Sequence, residues 1–299
     1  MDTFEEALIK NVVIALFGIV INSINGIFVV TFFRSSIFYN DPRYILYIHL
    51  VINDMIMIGL TVIMYVLSYV RPLFNVSICC ILLMIGSATH KNTPLNLAGM
   101  AIERYIAICK PLHHPQICTV HRTYILIGFI WGVGFIPGLA DVVLLSTAVP
   151  ASFFYSFTLC TPVTMYGSTY HAEKTKGVQG IYLSFVWLIL VFTYCRVLIA
   201  AKKASADKVS AQKAQSTILL HGAQLVLCML SYVSPVIDMI FIPFFPQYRT
   251  KINFSTYLLT NILPRLLSPL IYGVRDQKFF KSMKSHLSCI AIQVESSKS

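Results

Sequence analysis

The chain has 299 residues, of which 57% are apolar and only 12% charged, about half the charged share of a soluble domain. So little polar residue cannot cover a water-soluble body of this size, and the solvent implied is a lipid bilayer. Lys and Arg outnumber Asp and Glu by 23 to 12, but the bases fall in short runs between long apolar stretches. That placement excludes nucleic acid as a partner and fits basic loops on the cytoplasmic face of a membrane.

The first ten residues, MDTFEEALIK, carry three acids and one base. The apolar run behind them is too long for a cleavable signal, so the first span is expected to serve as its own insertion signal. At about 20 apolar residues per crossing, seven spans are predicted, at 11–33, 44–69, 78–108, 122–146, 177–201, 215–242 and 253–274. The third is interrupted by His90, Lys91 and Asn92 and the seventh by Arg265; the sixth is also uneven. The fold class predicted is an all-α membrane protein, a seven-transmembrane helix bundle. An outside N-terminus gathers most loop bases on the inside, from Arg34 and Arg43 to Lys278, Lys281 and Lys284, as the positive-inside rule requires.

After the last span, DQKFFKSMKSHL places Phe279, Phe280, Met283 and Leu287 among lysines. This reads as a short amphipathic eighth helix with its apolar stripe on the inner leaflet, so membrane lipid is an expected partner. The organisation expected is an extracellular N-terminus over 1–10, a bundle over 11–275, and a cytoplasmic helix and polar tail over 276–299. Eight cysteines without CxxC spacing give no zinc or redox motif, and no metal or cofactor is expected.

The most specific stretch is Met100 to Leu112, MAIERYIAICKPL. Arg104 is a costly charge near the membrane face unless partnered, and Glu103 is placed to hold it. Freed, its forked guanidinium can donate to the carbonyls of a docking helix. This stretch resembles MAYDRYVAICxPLxY of the odorant receptors within the rhodopsin-like class of G-protein-coupled receptors, with Glu103 in place of Asp. Further pieces agree in order: PRYILYIHLVINDM from Pro42 resembles PMYxFLxxLSxxD, and Asn25 and Trp131 resemble packing anchors of the first and fourth helices. KAQSTILLH over 213–221 resembles KAxSTxxSH, and PRLLSPLIY over 264–272 resembles PxLNPxIY, with Ser268 in place of Asn. The resemblance covers about Asn25 to Lys281 and is greatest to fish odorant receptors.

What this resemblance implies is a small-molecule odorant bound within the bundle and a heterotrimeric G protein of the stimulatory type engaged at the cytoplasmic face, raising cyclic AMP. Glu103, Arg104, Tyr105, Tyr194 and Tyr272 are the switch residues it implies. The plasma membrane of olfactory cilia is the implied location, and an accessory trafficking chaperone is left open. Cys79 sits 25 residues before Arg104, about 37 Å along a helix, at the outer end of the third span. The outer face is oxidising and the family has a bridge here, so Cys79–Cys160 is the expected disulfide, with Cys80 as rival partner. Asn75-Val-Ser77 and Asn253-Phe-Ser255 are glycosylation sequons on the expected outer side.

Ionisable groups inside spans are functional hypotheses by default. Asp54 in the second span and Arg265 in the seventh are expected at one depth, and a pair across the core is predicted. It is either a structural pair or a switch. In many rhodopsin-like receptors a sodium ion sits near the corresponding acid, and Arg265 would replace it. Gly86, Ser87, His90 and Lys91 fall on the part of the third helix that lines the family's odorant pocket, with Asp238 as a second entrance residue. Lys91 either receives an anionic group of the odorant, or pairs internally with an acid such as Asp141 or Glu173, or snorkels. Pro235 in the sixth span permits a bend that swings its inner end outward. A non-odorant chemosensory receptor is the alternative, and a transporter fits worse because no internal repeat appears. No HExxH or Ser–His constellation marks an enzyme.

Overall fold

A computed structural model describes residues 4–167, 169–203, 222, 223, 226, 227, 229, 230, 234–276 and 278–285. The expectations on Lys213 to His221 and on the tail from His286 lie outside the described residues. So do those on the side chains of Pro235, Asp238 and Tyr272, whose backbones are helical.

The long helices are α1 (Phe4–Arg34), α2 (Pro42–Val70), α3 (Val76–Cys109), α4 (Val120–Ala148) and α5 (Thr169–Lys203). After them come α6 (Ser234–Phe244), the composite α7 (Arg249–Arg275) and α8 (278–285). By length and apolarity alone α1, α2, α4 and most of α5 suffice to cross a membrane. Their outward sides are apolar too: Leu16, Ile19, Phe129, Ile136, Ile181 and Leu188 are all exposed. A body with greasy residues outside as well as inside belongs in lipid. Six of the predicted spans are each matched by a described helix that runs a few residues past both ends of the apolar run, and of the sixth the continuous described helix is its later part, Ser234–Phe244.

Local signals set the helix ends. Asp41 caps α2 by accepting from the Arg43 amide, and Pro42 opens the helix where its missing N–H costs nothing. Thr119 caps α4 through the Arg122 amide, and Asn75 caps α3 through Ser77 and Ile78. Burial raises the Asp41 carboxyl, but hydrogen bonds and charge from Arg43 outweigh it and hold the group below its ordinary 3.8.

Helix α3 is the hub and packs against α2, α4 and α5. Its polar residues are the reason it lacks a uniformly apolar window, and they are spent on its neighbours. Asn53 of α2 donates to the Thr89 carbonyl (2.9 Å) and to the Thr93 hydroxyl (3.1 Å). Trp131 of α4 donates its indole N–H to His49 Nε2 at 2.9 Å, and His49 Nδ1 faces Asn96 Oδ1 at 3.1 Å. An acceptor at Nε2 makes Nδ1 the protonated nitrogen, so His49 is a neutral bridge between three helices. At Gly134 a Cβ would meet the Asn92 side chain, so α3 and α4 approach there as only glycine allows.

Helix α7 is not one regular helix. Its α-helical pieces Arg249–Tyr257 and Leu263–Arg275 flank a π-helical turn, Leu258–Ile262. The Leu263 N–H reaches back five residues to the Leu258 carbonyl, and the next residue, Pro264, has no N–H to give. Widening the ladder before a proline avoids the clash an α-helix would force.

Helix α8 corrects one expectation. Phe279 does not face lipid with Phe280 and Met283; it is fully buried. Its ring stacks on Phe28 at 5.5 Å and on Tyr44 at 6.0 Å, with Phe38 4.9 Å away. Asp276 holds the junction, accepting from the Tyr44 hydroxyl (2.8 Å) and from the Phe279 amide (3.1 Å). Phe280 remains exposed and takes the outward role.

Candidate functional site: a cavity and a cleft joined by one helix

At one end of the bundle, strands Leu73–Asn75 and Phe157–Leu159 pair antiparallel, Leu73 opposite Leu159. This ribbon sets Cys160 over the start of α3, and Cys79 and Cys160 are disulfide-bonded with Cα atoms 5.6 Å apart. The rival Cys80 is a buried free thiol lying against Tyr166. Burial, with the Cys80 thiol beside it, pushes the Tyr166 hydroxyl above its ordinary 10, so it stays a protonated donor.

Below the ribbon lies a cavity of about 590 Å³, a size suited to a small organic ligand. Gly86, Ser87, His90 and Lys91 of α3 line it, as the sequence suggested. Its floor is apolar, from Met57, Leu60, Met64 and Leu83. The polar wall was largely missed: Asp141 of α4 with His171 and Lys174 of α5, and Tyr166 stacked on His171 at 5.1 Å. Asp141 accepts from the Lys174 ammonium and lies 2.8 Å from His171 Nδ1. Of the internal partners suggested for Lys91, Glu173 pairs with Lys176 at 2.8 Å, while Asp141 is bonded by Lys174 and His171 and acts on Lys91 only through its nearby charge. Lys91 donates to the Ser87 hydroxyl and carbonyl, the latter at 3.3 Å. Reach explains this: Ser87 is one helical turn away on α3, whereas Lys174 meets Asp141 directly across α4 and α5.

Deeper in the core, Arg265 of α7 donates to Asp54 of α2. Both are nearly sealed from solvent, at 5% and 3% exposure, and the Thr93 hydroxyl stands beside the carboxylate. A guanidinium from the chain itself thus neutralises this acid.

At the far end of α3, a second opening of about 620 Å³ is lined by Asp41, Arg43, Arg104, Ala107, His114 and Cys118, among others. Glu103 is buried. Its nearer partner is not Arg104, whose Nε is 3.8 Å away, but His114 Nε2 at 2.9 Å. His114 opens a one-turn helix, His114–Ile117, in the loop between α3 and α4. The PLHHP stretch shows two histidines near the motif, but nothing in it shows which one folds back. Burial and the nearby Glu103 charge push the Cys118 thiol up, with Arg122 opposing. Tyr105 packs on Phe192 of α5 at 5.8 Å, and Tyr194 is exposed near the same end. Of the two sequons, Asn75 is spent as a helix cap and its Ser77 hydroxyl donates to the Phe154 carbonyl at 2.8 Å. Asn253 is exposed on α7.

The chain matches a family model described as 7 transmembrane receptor (rhodopsin family) over residues 24–272. It is 31% identical over 267 residues to Odorant receptor 131-2 of Danio rerio, covering 89% of this chain and 82% of that one. Olfactory receptor 4K13 of Homo sapiens is 26% identical over 285 residues, covering 91% and 88%. Olfactory receptor 4K17 of Homo sapiens is 27% identical over 194 residues, covering 63% and 59%. With motif, bundle and disulfide in one register, the chain is a multi-pass membrane protein of the rhodopsin family of seven-transmembrane receptors, a family of receptors and not of enzymes.

Proposed function

We propose that the chain is an odorant receptor. A small organic ligand enters the cavity beneath the disulfide-tethered ribbon and favours one packing of the bundle over another. The Arg104 cleft then opens to a heterotrimeric G protein of the stimulatory type, raising cyclic AMP. The observation that carries the reading is the layout of α3. Its Gly86–Lys91 stretch lines a ligand-sized cavity at one end, and its Glu103–Arg104 pair borders an open cleft at the other. A rigid helix touching both sites is a physical element that both can bias.

The disulfide end faces the oxidising exterior and the Arg104 end the cytoplasm, so residues 1–10 are extracellular, 11–275 form the receptor body and 276–299 lie inside. The exposed face of α8 rests on lipid. Tyr105, Tyr194 and Tyr272 adjust as the cleft opens. Cilia of olfactory neurons are the place of action, reached with or without a trafficking chaperone. The names of the fish and human relatives favour odorants over other chemosensory ligands.

The test is cyclic-AMP accumulation in cells expressing the full chain with a stimulatory G protein, wild type against Arg104→Ala at matched surface level, across water-soluble odorants. A ligand-dependent rise lost in the variant is expected. A rise that survives Arg104→Ala would remove that residue from the coupling step, and a receptor at the surface yet silent to every odorant would overturn the odorant reading.

A further inference from the structure

We infer that the cavity selects organic anions, amphiphilic carboxylates above all, by seating the anionic head against Lys91 and the apolar tail on the Met57–Leu60–Met64 floor. The inference rests on the receptor reading and names the ligand class of the same cavity.

Among the described residues lining the cavity, the ionisable ones are Lys91, Lys174, Asp141, His90, His171 and the two tyrosines Tyr166 and Tyr182, with Tyr65 and Tyr257 on the floor side. Asp141 is the one carboxylate in that lining, and it is held by the Lys174 ammonium and by His171. Lys174 is further tied to the Pro137 carbonyl at 3.2 Å. That leaves the half-buried Lys91 ammonium hydrogen-bonded to the neutral oxygens of Ser87 on its own helix, with the Asp141 charge nearby but bonded directly by Lys174 and His171.

A hydroxyl and a carbonyl satisfy hydrogen bonds but do not neutralise a charge. Held in a low-dielectric bundle, an ammonium whose own hydrogen-bond partners are neutral is costly. A carboxylate entering the cavity supplies the missing charge and replaces the Ser87 bonds with charge-assisted ones. An amine meets the opposite situation: a repelling Lys91 and a carboxylate already engaged by the Lys174 ammonium and the His171 ring. The walls decide the rest of the ligand, since methionine and leucine side chains take a flexible hydrocarbon tail without demanding one shape. Free inorganic anion offers the same charge but leaves that floor uncovered.

The experiment uses matched aliphatic carboxylates, alcohols and amines of equal chain length, with sodium chloride as the inorganic control. Binding is read as the rise in Tm of the purified full-length receptor in lipid nanodiscs, and signalling as cyclic AMP in cells. The variants are Lys91→Met, which keeps length without charge, and Lys91→Arg, which keeps charge. Carboxylates are expected to stabilise the wild type with an affinity at least about ten-fold better than the matched alcohol, the scale of one charged hydrogen bond. Lys91→Met should bring that ratio close to one, and Lys91→Arg should restore most of it.

Alcohols or amines binding as well as carboxylates, or a carboxylate preference intact in Lys91→Met, overturns the inference. Stabilisation by chloride alone equal to that by carboxylates also overturns it. Carboxylate binding in nanodiscs with no cyclic-AMP response keeps the inference and sinks the coupling reading. A response to uncharged odorants with no carboxylate preference does the reverse.

Discussion

Replacing Asp54 by Asn tests the buried core pair most sharply. The substitution keeps side-chain size but strips the charge facing Arg265, which is 5% exposed and sits in the packed middle of the bundle. Breaking a buried ion pair by removing one partner costs about 3–5 kcal/mol, because the surviving charge stays desolvated. For a protein of this length that corresponds to a fall in Tm on the order of 10 °C. Adding Arg265→Gln to Asp54→Asn should recover most of the loss, since two neutral groups can bond to one another and no bare charge remains. The assay is thermal unfolding of the four purified receptors in one detergent, arranged as a double-mutant cycle, with surface expression measured in parallel. A coupling energy of at least about 2 kcal/mol is expected for partners in contact. An unchanged Tm for Asp54→Asn, or a double variant as unstable as the sum of the singles, would refute the view that Arg265 is the counter-ion of Asp54. The same geometry predicts that swapping sodium for choline in the medium leaves the Tm unmoved, because the chain supplies its own cation at this acid.

The remaining predictions concern the two ends of α3. Cys79→Ser should lower surface delivery and cost about 2–5 kcal/mol of stability, whereas Cys80→Ser, which removes only a buried thiol, should leave the bridge intact by non-reducing gel mobility. Glu103→Gln removes the charge that both His114 and Arg104 face, and ligand-independent cyclic AMP should rise; an unchanged baseline at equal surface level would take Glu103 out of the resting clamp. Cys118, pushed up by burial and by Glu103, should alkylate slowly at pH 7. Its rate should grow about ten-fold per unit of rising pH until the thiol is ionised, as iodoacetamide labelling followed by mass spectrometry would show. Peptide-N-glycosidase should shift the receptor through Asn253 if through either sequon, because Asn75 Oδ1 caps α3 and the Ser77 hydroxyl of its sequon is bonded to the Phe154 carbonyl, which holds that sequon in folded structure.

Much of this molecule is legible in its sequence because bilayer solvation reduces the choices: a long apolar run must close its backbone hydrogen bonds on itself, and a helix is the way to do so. That logic finds α1, α2, α4 and α5 by apolarity alone, and α3 needs only the allowance that polar residues in a span must face neighbours. The pairing of Asp54 with Arg265 is readable for the same reason, since an isolated charge at that depth has few places to go. Where several partners lie within reach, the sequence falls silent. Lys91, Lys174 and His171 all compete for Asp141, and what decides is the crossing of α4 with α5, a property of helix packing that no one-dimensional spacing contains. His114 folds back on Glu103 through a single turn in a short loop, and one residue of register separates it from His113. The π turn before Pro264 follows from proline's missing donor, but the choice between a widened turn and a kink depends on what packs alongside. Phe279 is the clearest case. In sequence it is indistinguishable from Phe280, yet one ring becomes the plug of the aromatic cluster under α1 and α2 while the other stays outside. A helix rotated by about 100°, one residue's step, would exchange them, so the assignment is made by the Asp276 hinge, which takes the Tyr44 hydroxyl and the Phe279 amide at once. Recognition sites in this fold are thus set less by which polar residues a span carries than by which of them the neighbouring helices have left unneutralised.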